Sequence, residues 1–272
     1  MTLSEVRRGS VQRDLINDLI NNDQLERYAR QIIMPEINEE GQELLLKSKV
    51  AIIGAGGLGC PTGLFLAGAG VGEITVVDND VIDISNLNRQ IAFNTFDVGE
   101  TKSKFLHLAL KKLNPEIDVK YVNERLTNKN IKHIFKNKDV IIDCTDNYET
   151  RSLIAKGCYD QKIPMSFGSA VRQEGQTAFF IAGCQNHLIK ENHDSNPCYI
   201  CLFPDAPENG IISRCSEAGI LGPITGLISS IQSLNVIRYL TKQTVSKNLL
   251  LWDGLSFLEV KIKKTSNCET CS

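Results

Sequence analysis

An α/β fold with a doubly wound, mostly parallel sheet is what this sequence predicts, and three observations carry the prediction. Short β-branched runs alternate with helix-like stretches, as strands joined by crossover helices do. A glycine-rich turn, Gly54-Ala55-Gly56-Gly57-Leu58-Gly59, separates the first such run from the first helix. The next run ends in an acid, Asp78, 19 residues after Gly59.

The elements follow in order. Residues 1–24 are polar, with Leu15, Ile16, Leu19 and Ile20 at helical spacing, which predicts an amphipathic helix or a tail outside the main fold. VAII from Val50 reads as a strand, Pro61 to Ala69 as a buried helix and ITVVD at 74–78 as the next strand. Further strands are predicted at 119–122, 140–144 and 177–181, with helices over 101–113, 127–136 and 148–161. Beyond about Gly183 the composition shifts to Asn, His, Pro and Gly, and 183–197 reads as a long loop. An apolar helix from Pro223 to about Leu240 and strands at 249–252 and 257–263 complete the chain. Residues 183–272 hold too many glycines to build much core alone, so they read as part of the same fold.

Composition narrows the function. The chain has 272 residues, with 30 Lys and Arg against 32 Asp and Glu, so no basic excess exists to hold a nucleic acid by counterion release. No apolar run reaches the ~18–20 residues of a membrane span, and the N-terminus lacks the apolar core of a secretory signal. The expectation is a cytoplasmic protein that binds neither membrane nor nucleic acid. Its nine cysteines then read as metal ligands, nucleophiles or core fillers rather than as a disulfide framework.

The glycine loop lets a phosphate approach backbone N–H groups at a positive helix terminus, and Asp78 stands where an acid reaches ribose hydroxyls. Gly54, Gly56, Gly57 and Gly59 with Asp78 therefore read as a Rossmann-like nucleotide site; a turn used only for packing is the rival. The segment from Asp78 to Gln90 goes further than a nicotinamide site requires. It holds the candidate site residues Asp80 and Ser85, and Asn86, Asn88, Arg89 and Gln90 form a cluster of neutral and cationic donors able to grip several phosphate oxygens. Lys102 adds a cation at the start of the next helix. Asp146, in DCTDN, lies at a carboxyl end of the sheet, where a carboxylate suits Mg²⁺ bound to phosphates. Taken singly, each of these residues could be a solvated surface charge.

Two knuckles, Cys198-x-x-Cys201 and Cys268-x-x-Cys271, have the spacing of a tetrahedral Zn²⁺ site. Such a metal would tie the chain end to the stretch after Gly183, giving the fold a C-terminal zinc-tied extension. A redox CxxC pair is the alternative, and His187 and His193 are alternative ligands. Cys60, Cys144, Cys158 and Cys184 read as small buried hydrophobes.

RYARQI, GAGGLGCP, DNDVIDISNLNRQ, VGETK, DCTDN, GSAVRQEGQ, PCYICLFP and CSEAGILGP, in that order from Arg27 to about Leu240, resemble the MoeB/ThiF/HesA adenylyltransferases. These are relatives of the ubiquitin-activating enzymes. The resemblance implies that residues 25–182 bind ATP and that 183–272 bind zinc and a ubiquitin-like sulfur carrier. The implied reaction uses Mg·ATP to adenylate the carrier's C-terminal Gly-Gly carboxylate before thiocarboxylate formation. By position it implies Gly57 against the nucleotide, Asp78 on the ribose, Asn86 and Arg89 on phosphates, and Lys102 on the triphosphate. Asp146 would hold the metal, with Asn147 beside it, and Cys198, Cys201, Cys268 and Cys271 would hold zinc. Arg30 resembles an arginine that crosses a homodimer interface to the partner's ATP. Cys215, in SRCSEAG, matches a cysteine that carries acyl or persulfide chemistry in some relatives and is a bystander in others.

LGCP and GILGPITGLISS lean toward the molybdopterin branch, with a thiamine-pathway enzyme as the alternative. The chain ends just after the last knuckle, so a separate desulfurase is the expected sulfur donor. A nicotinamide-dependent oxidoreductase would share the glycine loop and Asp78 but leave Arg89, Lys102, Asp146 and the knuckles without a use. A docking module that keeps only the fold and zinc is a third reading.

Overall fold

The computed structural model describes residues 20–183, 196–205 and 218–272. The expectations for residues 1–19, for the loop from Cys184 to 195 with His187 and His193, and for Cys215 lie outside the described residues. The first described helix is Asn22–Arg27 (α1), which overlaps the segment expected as an N-terminal helix or tail only at residues 22–24. Asn21 accepts from Gln24 N and Gln24 bonds back to Asn21 N, a reciprocal cap that fixes where the helix starts. Two further helices, Ala29–Ile32 (α2) and Asn38–Lys47 (α3), lead into the sheet.

Lys49–Ile53 (β1), Glu73–Val77 (β2), Asp118–Val122 (β3), Val140–Asp143 (β4) and Met165–Val171 (β5) are parallel, in the order β3-β2-β1-β4-β5. Glu174–Phe180 (β6), Leu249–Trp252 (β7) and Phe257–Val260 (β8) continue the same sheet antiparallel. β1 is buried on both faces because Val50 and Ile52 enter one apolar layer and Ala51 and Ile53 the other. The first layer holds Gly59–Ala69 (α4), Lys102–Leu113 (α5) and Gly222–Leu240 (α9). The second holds Ile131–Phe135 (α6), Tyr148–Gln161 (α7) and the short Tyr199–Leu202 (α8). Helices on both faces of a largely parallel sheet are the predicted doubly wound fold. Among the described residues, no helix is long and apolar enough to cross a membrane.

Besides the short helices α2 and α8, two elements were not predicted. MSFGSAV forms β5, a strand of small residues at whose centre α9 comes close: a Cβ on Gly168 would stand 2.3 Å from Gln232 Oε1. Packing against that helix, rather than β propensity, selects the sequence there. NEEGQELLLK forms α3, whose charges hide a narrow buried face of Gly41, Gln42 and Leu45. The helix expected over 127–136 is confined to Ile131–Phe135, and the strand expected over 257–263 to Phe257–Val260.

Candidate active site and metal centre

Register sets the site. Ile53 lies beside both Val77 and Asp143, so β1, β2 and β4 end flush and their following loops share one edge. β1 is flanked by β2 and β4, and the chain winds outward in both directions from it, so this edge lies at the topological switch point where open α/β sheets bind ligands. Gly54 N donates to Val77 O and Cys144 N to Ile53 O, which extends the ladder into the loops.

The glycine loop needs glycine for two separate reasons. Gly54 has φ +97°, and a Cβ there would meet the Cys144 carbonyl oxygen at 2.7 Å. At Gly59 a Cβ would be 1.9 Å from the Gly54 carbonyl oxygen, so α4 can start there only without a side chain. Asp78 pins the loop from the β2 side: its carboxylate accepts from Ala55 N at 2.7 Å and from Asp80 N at 2.7 Å. Burial pushes the Asp78 carboxyl above its ordinary range, partly offset by these two N–H groups and by Lys102. Lys102 Nζ is 3.0 Å from Asp80 Oδ2, with the lysine nearly buried and the aspartate exposed.

The segment after Asp80 folds back on itself. Ser85 N donates to Asp83 Oδ1, Asp83 N to Asn86 Oδ1, and the hydroxyl and N–H of Ser85 hold the Asp83 carboxyl below its usual range. Arg89 Nη1 donates to Ser85 O and to Asn88 Oδ1, both at 2.9 Å, so its guanidinium is preset by its own loop. Gln90 is buried with Oε1 unpartnered, and its amide nitrogen lies near Gly56. Gly57 lies beside Thr225 and Arg89. Asp146 is exposed at the end of β4, and Asn147 next to it caps α7 by accepting from Thr150 N. The residues expected to contact nucleotide thus share one edge of the sheet, with the exception of Arg30.

Arg30 sits elsewhere. Tyr28 is buried against Gly70 at the far end of α4, its hydroxyl accepting from Asn114 Nδ2, and Gln31 donates to Ala69 O. The intervening 11-residue helix is about 16 Å long, and Arg30 is exposed at its distal end beside exposed Ile33 and Met34.

Sequence reasoning also missed polar residues buried behind the site. Asp143 is fully buried, with Oδ1 accepting from Thr145 N and Oγ1 and Oδ2 lying 3.6 Å from Arg151 Nε. Burial pushes the Asp143 carboxyl up, against the pull of Arg151 and Thr145. Gln232 donates to the carbonyls of Asp143 and Ser166. The available signal was periodicity: Arg151 falls on the buried stripe Ile154, Ala155 and Cys158 of α7, where a charge needs a partner.

Cys198, Cys201, Cys268 and Cys271 converge, with all four Sγ atoms within 4.8 Å of one another. Sγ separations of 3.5 Å (198 to 268), 3.4 Å (201 to 271) and 4.0 Å (198 to 201) bracket the ~3.8 Å edge of a tetrahedron with ~2.3 Å Zn–S bonds. Thr265 N donates to Cys201 Sγ. Burial raises the Cys268 thiol, but the N–H groups of Thr270 and Cys271, together with the neighbouring Cys198 and Cys271 thiols, outweigh it and leave the group lowered to about 7. Four sulfurs in this arrangement fit zinc, and no second cluster of metal ligands occurs among the described residues. Cys60, Cys144 and Cys158 are buried as expected, and burial pushes the Cys60 thiol up to about 12.

Comparison with known proteins identifies the family. The chain is 40 % identical over 258 residues to the adenylyltransferase and sulfurtransferase MOCS3 of Culex quinquefasciatus, covering 93 % of this chain and 56 % of that one. The chain thus spans little more than half the length of that relative. It is 36 % identical to the molybdopterin-synthase adenylyltransferase of Salmonella typhimurium, covering 93 % of this chain and 98 % of the other. Among solved structures, E. coli MccB with ATP superposes with a TM-score of 0.75 at 21 % identity, over 94 % of this chain and 77 % of that one, a likeness of fold. Residues 28–272 match the ThiF family over nine-tenths of the chain, and on that match this chain belongs to the ThiF family.

Proposed function

We propose that the chain is an adenylyltransferase that uses Mg·ATP to adenylate the C-terminal Gly-Gly carboxylate of a ubiquitin-like sulfur carrier, of the molybdopterin-synthase type. One observation carries the reading: two preset cations, Arg89 and Lys102, and the exposed carboxylate of Asp146 surround a glycine loop at the switch point. That set is more than a dinucleotide requires, and with Mg²⁺ on Asp146 it would offset most of the charge of a triphosphate. The named relatives, a MOCS3 and a molybdopterin-synthase adenylyltransferase, support the same chemistry.

In this reading the carrier carboxylate, already ionised at neutral pH, attacks the α-phosphorus; the bond to the bridging oxygen breaks and pyrophosphate leaves. No general base is needed, and the chain's task is to fix charge where it develops. Asp78 orients the ribose while holding Ala55 in the loop. Gly56, Gly57, Ser85, Asn86, Asn88 and Gln90 line the nucleotide, Arg89 meets the phosphates, and Lys102 exchanges Asp80 for the triphosphate. Asp146, with Asn147 beside it, would hold Mg²⁺, which when bound neutralises phosphate charge. Cys198, Cys201, Cys268 and Cys271 would hold Zn²⁺ as a closed structural site. Cys215 keeps both readings, acyl or persulfide carrier and bystander.

Arg30 is about one helix length from its own glycine loop, beyond the reach of one side chain, and exposed apolar residues flank it. We infer that the protein is a homodimer in which Arg30 serves the partner's ATP. A separate desulfurase supplies sulfur after adenylation. The test is ATP–pyrophosphate exchange with purified carriers ending in Gly-Gly: exchange triggered by a molybdopterin-type carrier is expected. Exchange with a thiamine-type carrier alone would move the chain to that branch, and NAD binding without ATP binding would replace the reading.

A further inference from the structure

We propose that Tyr148 and Arg151 clamp the turn carrying Asp146 and make its position depend on the metal-tied knuckle at Cys198–Cys201. The inference rests on the role proposed above for Asp146.

Asp146 has an exposed side chain on a backbone held from both sides. Thr145 before it is tied to buried Asp143 through its N–H (2.9 Å) and hydroxyl (2.6 Å), and its carbonyl accepts from Arg151 Nη2. Asn147 after it caps α7. Arg151 is thus one of the turn's holds. Its Nε is 3.6 Å from Asp143 Oδ2, and both atoms are buried with no hydrogen bond, so the ion pair is loose. The guanidinium is located instead by the Phe167 ring, 5.2 Å away, and that ring packs against Tyr199 and Phe203 at 5.2 and 5.8 Å. Tyr199 adjoins Cys198, and Phe203 lies two residues after Cys201.

A second arm runs alongside. Tyr148, in the first turn of α7, donates its hydroxyl to the carbonyls of Phe203 and Pro204 at 3.2 and 3.1 Å. The residues that meet here are 55 and 56 positions apart in sequence, so no local chain geometry imposes the contact. α8 is a single turn of four residues, too short to hold its shape unaided. The four-sulfur cluster, through Cys198 just before its first residue and Cys201 within it, is what would fix it. Loss of the metal would release Phe203 and Tyr199 together, and with them both arms of the clamp.

Hydrogen–deuterium exchange tests this without any assay of adenylation. In wild type stripped of metal by chelator, with circular dichroism showing the fold retained, peptides covering 144–151 should exchange about threefold to tenfold faster. This is the scale of one lost buried hydrogen bond, and the glycine-loop peptide should not change. Metal-loaded Tyr148→Phe, which loses one arm, should show part of the same local acceleration, and stripping it, which releases the Phe167 arm, should supply the rest. Unchanged exchange over 144–151 in Tyr148→Phe overturns the proposal, even if stripped wild type unfolds. Acceleration confined to 198–203 and the C-terminus on stripping overturns it too. In ATP–pyrophosphate exchange, Tyr148→Phe should raise the half-maximal magnesium concentration at least threefold with KM for ATP within twofold. Exchange protection lost as expected, in a protein that shows no adenylation, would leave the clamp standing and remove the proposed function.

Discussion

Replacing Cys268 with serine tests the four-sulfur centre by what it closes. Cys201 and Cys268 enclose 66 residues, and a link across such a span removes about 4 kcal/mol of chain entropy from the unfolded state. The sulfur geometry already fits zinc, so little of this is returned as strain in the folded protein. For a chain of this size, about 4 kcal/mol corresponds to a fall in Tm on the order of 10 °C. The glycine loop, Asp78 and the phosphate cations contact none of the four sulfurs, so affinity for magnesium-free ATP should stay within about threefold. Metal analysis should find close to one Zn²⁺ per wild-type chain and clearly less in Cys268→Ser. Thermal unfolding and nucleotide titration of the two proteins give the other two quantities. Purified wild type without zinc and with four reactive thiols at these positions would refute the argument, as would a Tm change below about 2 °C.

Asp146→Ala should abolish carrier-dependent ATP–pyrophosphate exchange while leaving the circular dichroism spectrum unchanged, because the side chain is exposed. Arg89→Ala and Lys102→Ala should each lower the exchange rate roughly 10²-fold, the scale of losing one fixed donor to developing charge; an unchanged rate in either makes that cation a surface charge. Mixing Arg30→Ala with Asp146→Ala chains should restore activity, since one site of the mixed dimer keeps both residues, and a mixture that stays inactive after shown chain exchange rules out sharing between subunits. Glu73 gives a pH prediction: burial raises its carboxyl, but Lys120 and Lys138 outweigh this and hold it at about 2, below its ordinary 4.5. A depressed carboxyl stabilises the fold above pH 4.5 and loses that contribution as pH falls toward 2. Glu73→Gln should therefore cost about 2 kcal/mol at pH 7, allowing for screening at exposed Lys120, and less than half as much at pH 3 by urea unfolding.

The parallel half of the fold was legible because its strands are buried on both faces and read as β-branched runs between glycine and helix signals. VAII, ITVVD and VIID announce themselves; MSFGSAV does not, because Gly168 and its small neighbours answer to Gln232 on a helix more than 60 residues away. The glycine loop and its neighbours at the candidate site stood out in the sequence for a similar reason. Their glycines and acids serve backbone geometry and charge, both of which leave residue-type signals. Tyr148, Arg151 and Asp143 left little trace, since their partners are carbonyls, a ring face and a turn that only the tertiary structure brings together.

The helix that closes the sheet shows why the two parts of the chain act as one site. α9 reads as apolar, yet Thr225, Ser229 and Gln232 form a buried polar row at helical spacing. Ser229 donates to the Leu58 carbonyl inside the glycine loop, and Gln232 donates to the Asp143 carbonyl at the end of β4. Gly222 comes so close to Asn88 that a Cβ would stand 2.5 Å from its carbonyl oxygen. One helix thus touches the loop after β1, the segment after β2 that carries Asn88 and the end of β4. A shift of α9 would have to move all three together or break buried hydrogen bonds to two of them. The edge that carries the candidate site is for that reason set by residues on both sides of position 183, and the C-terminal part of the chain shapes the site that the N-terminal part lines.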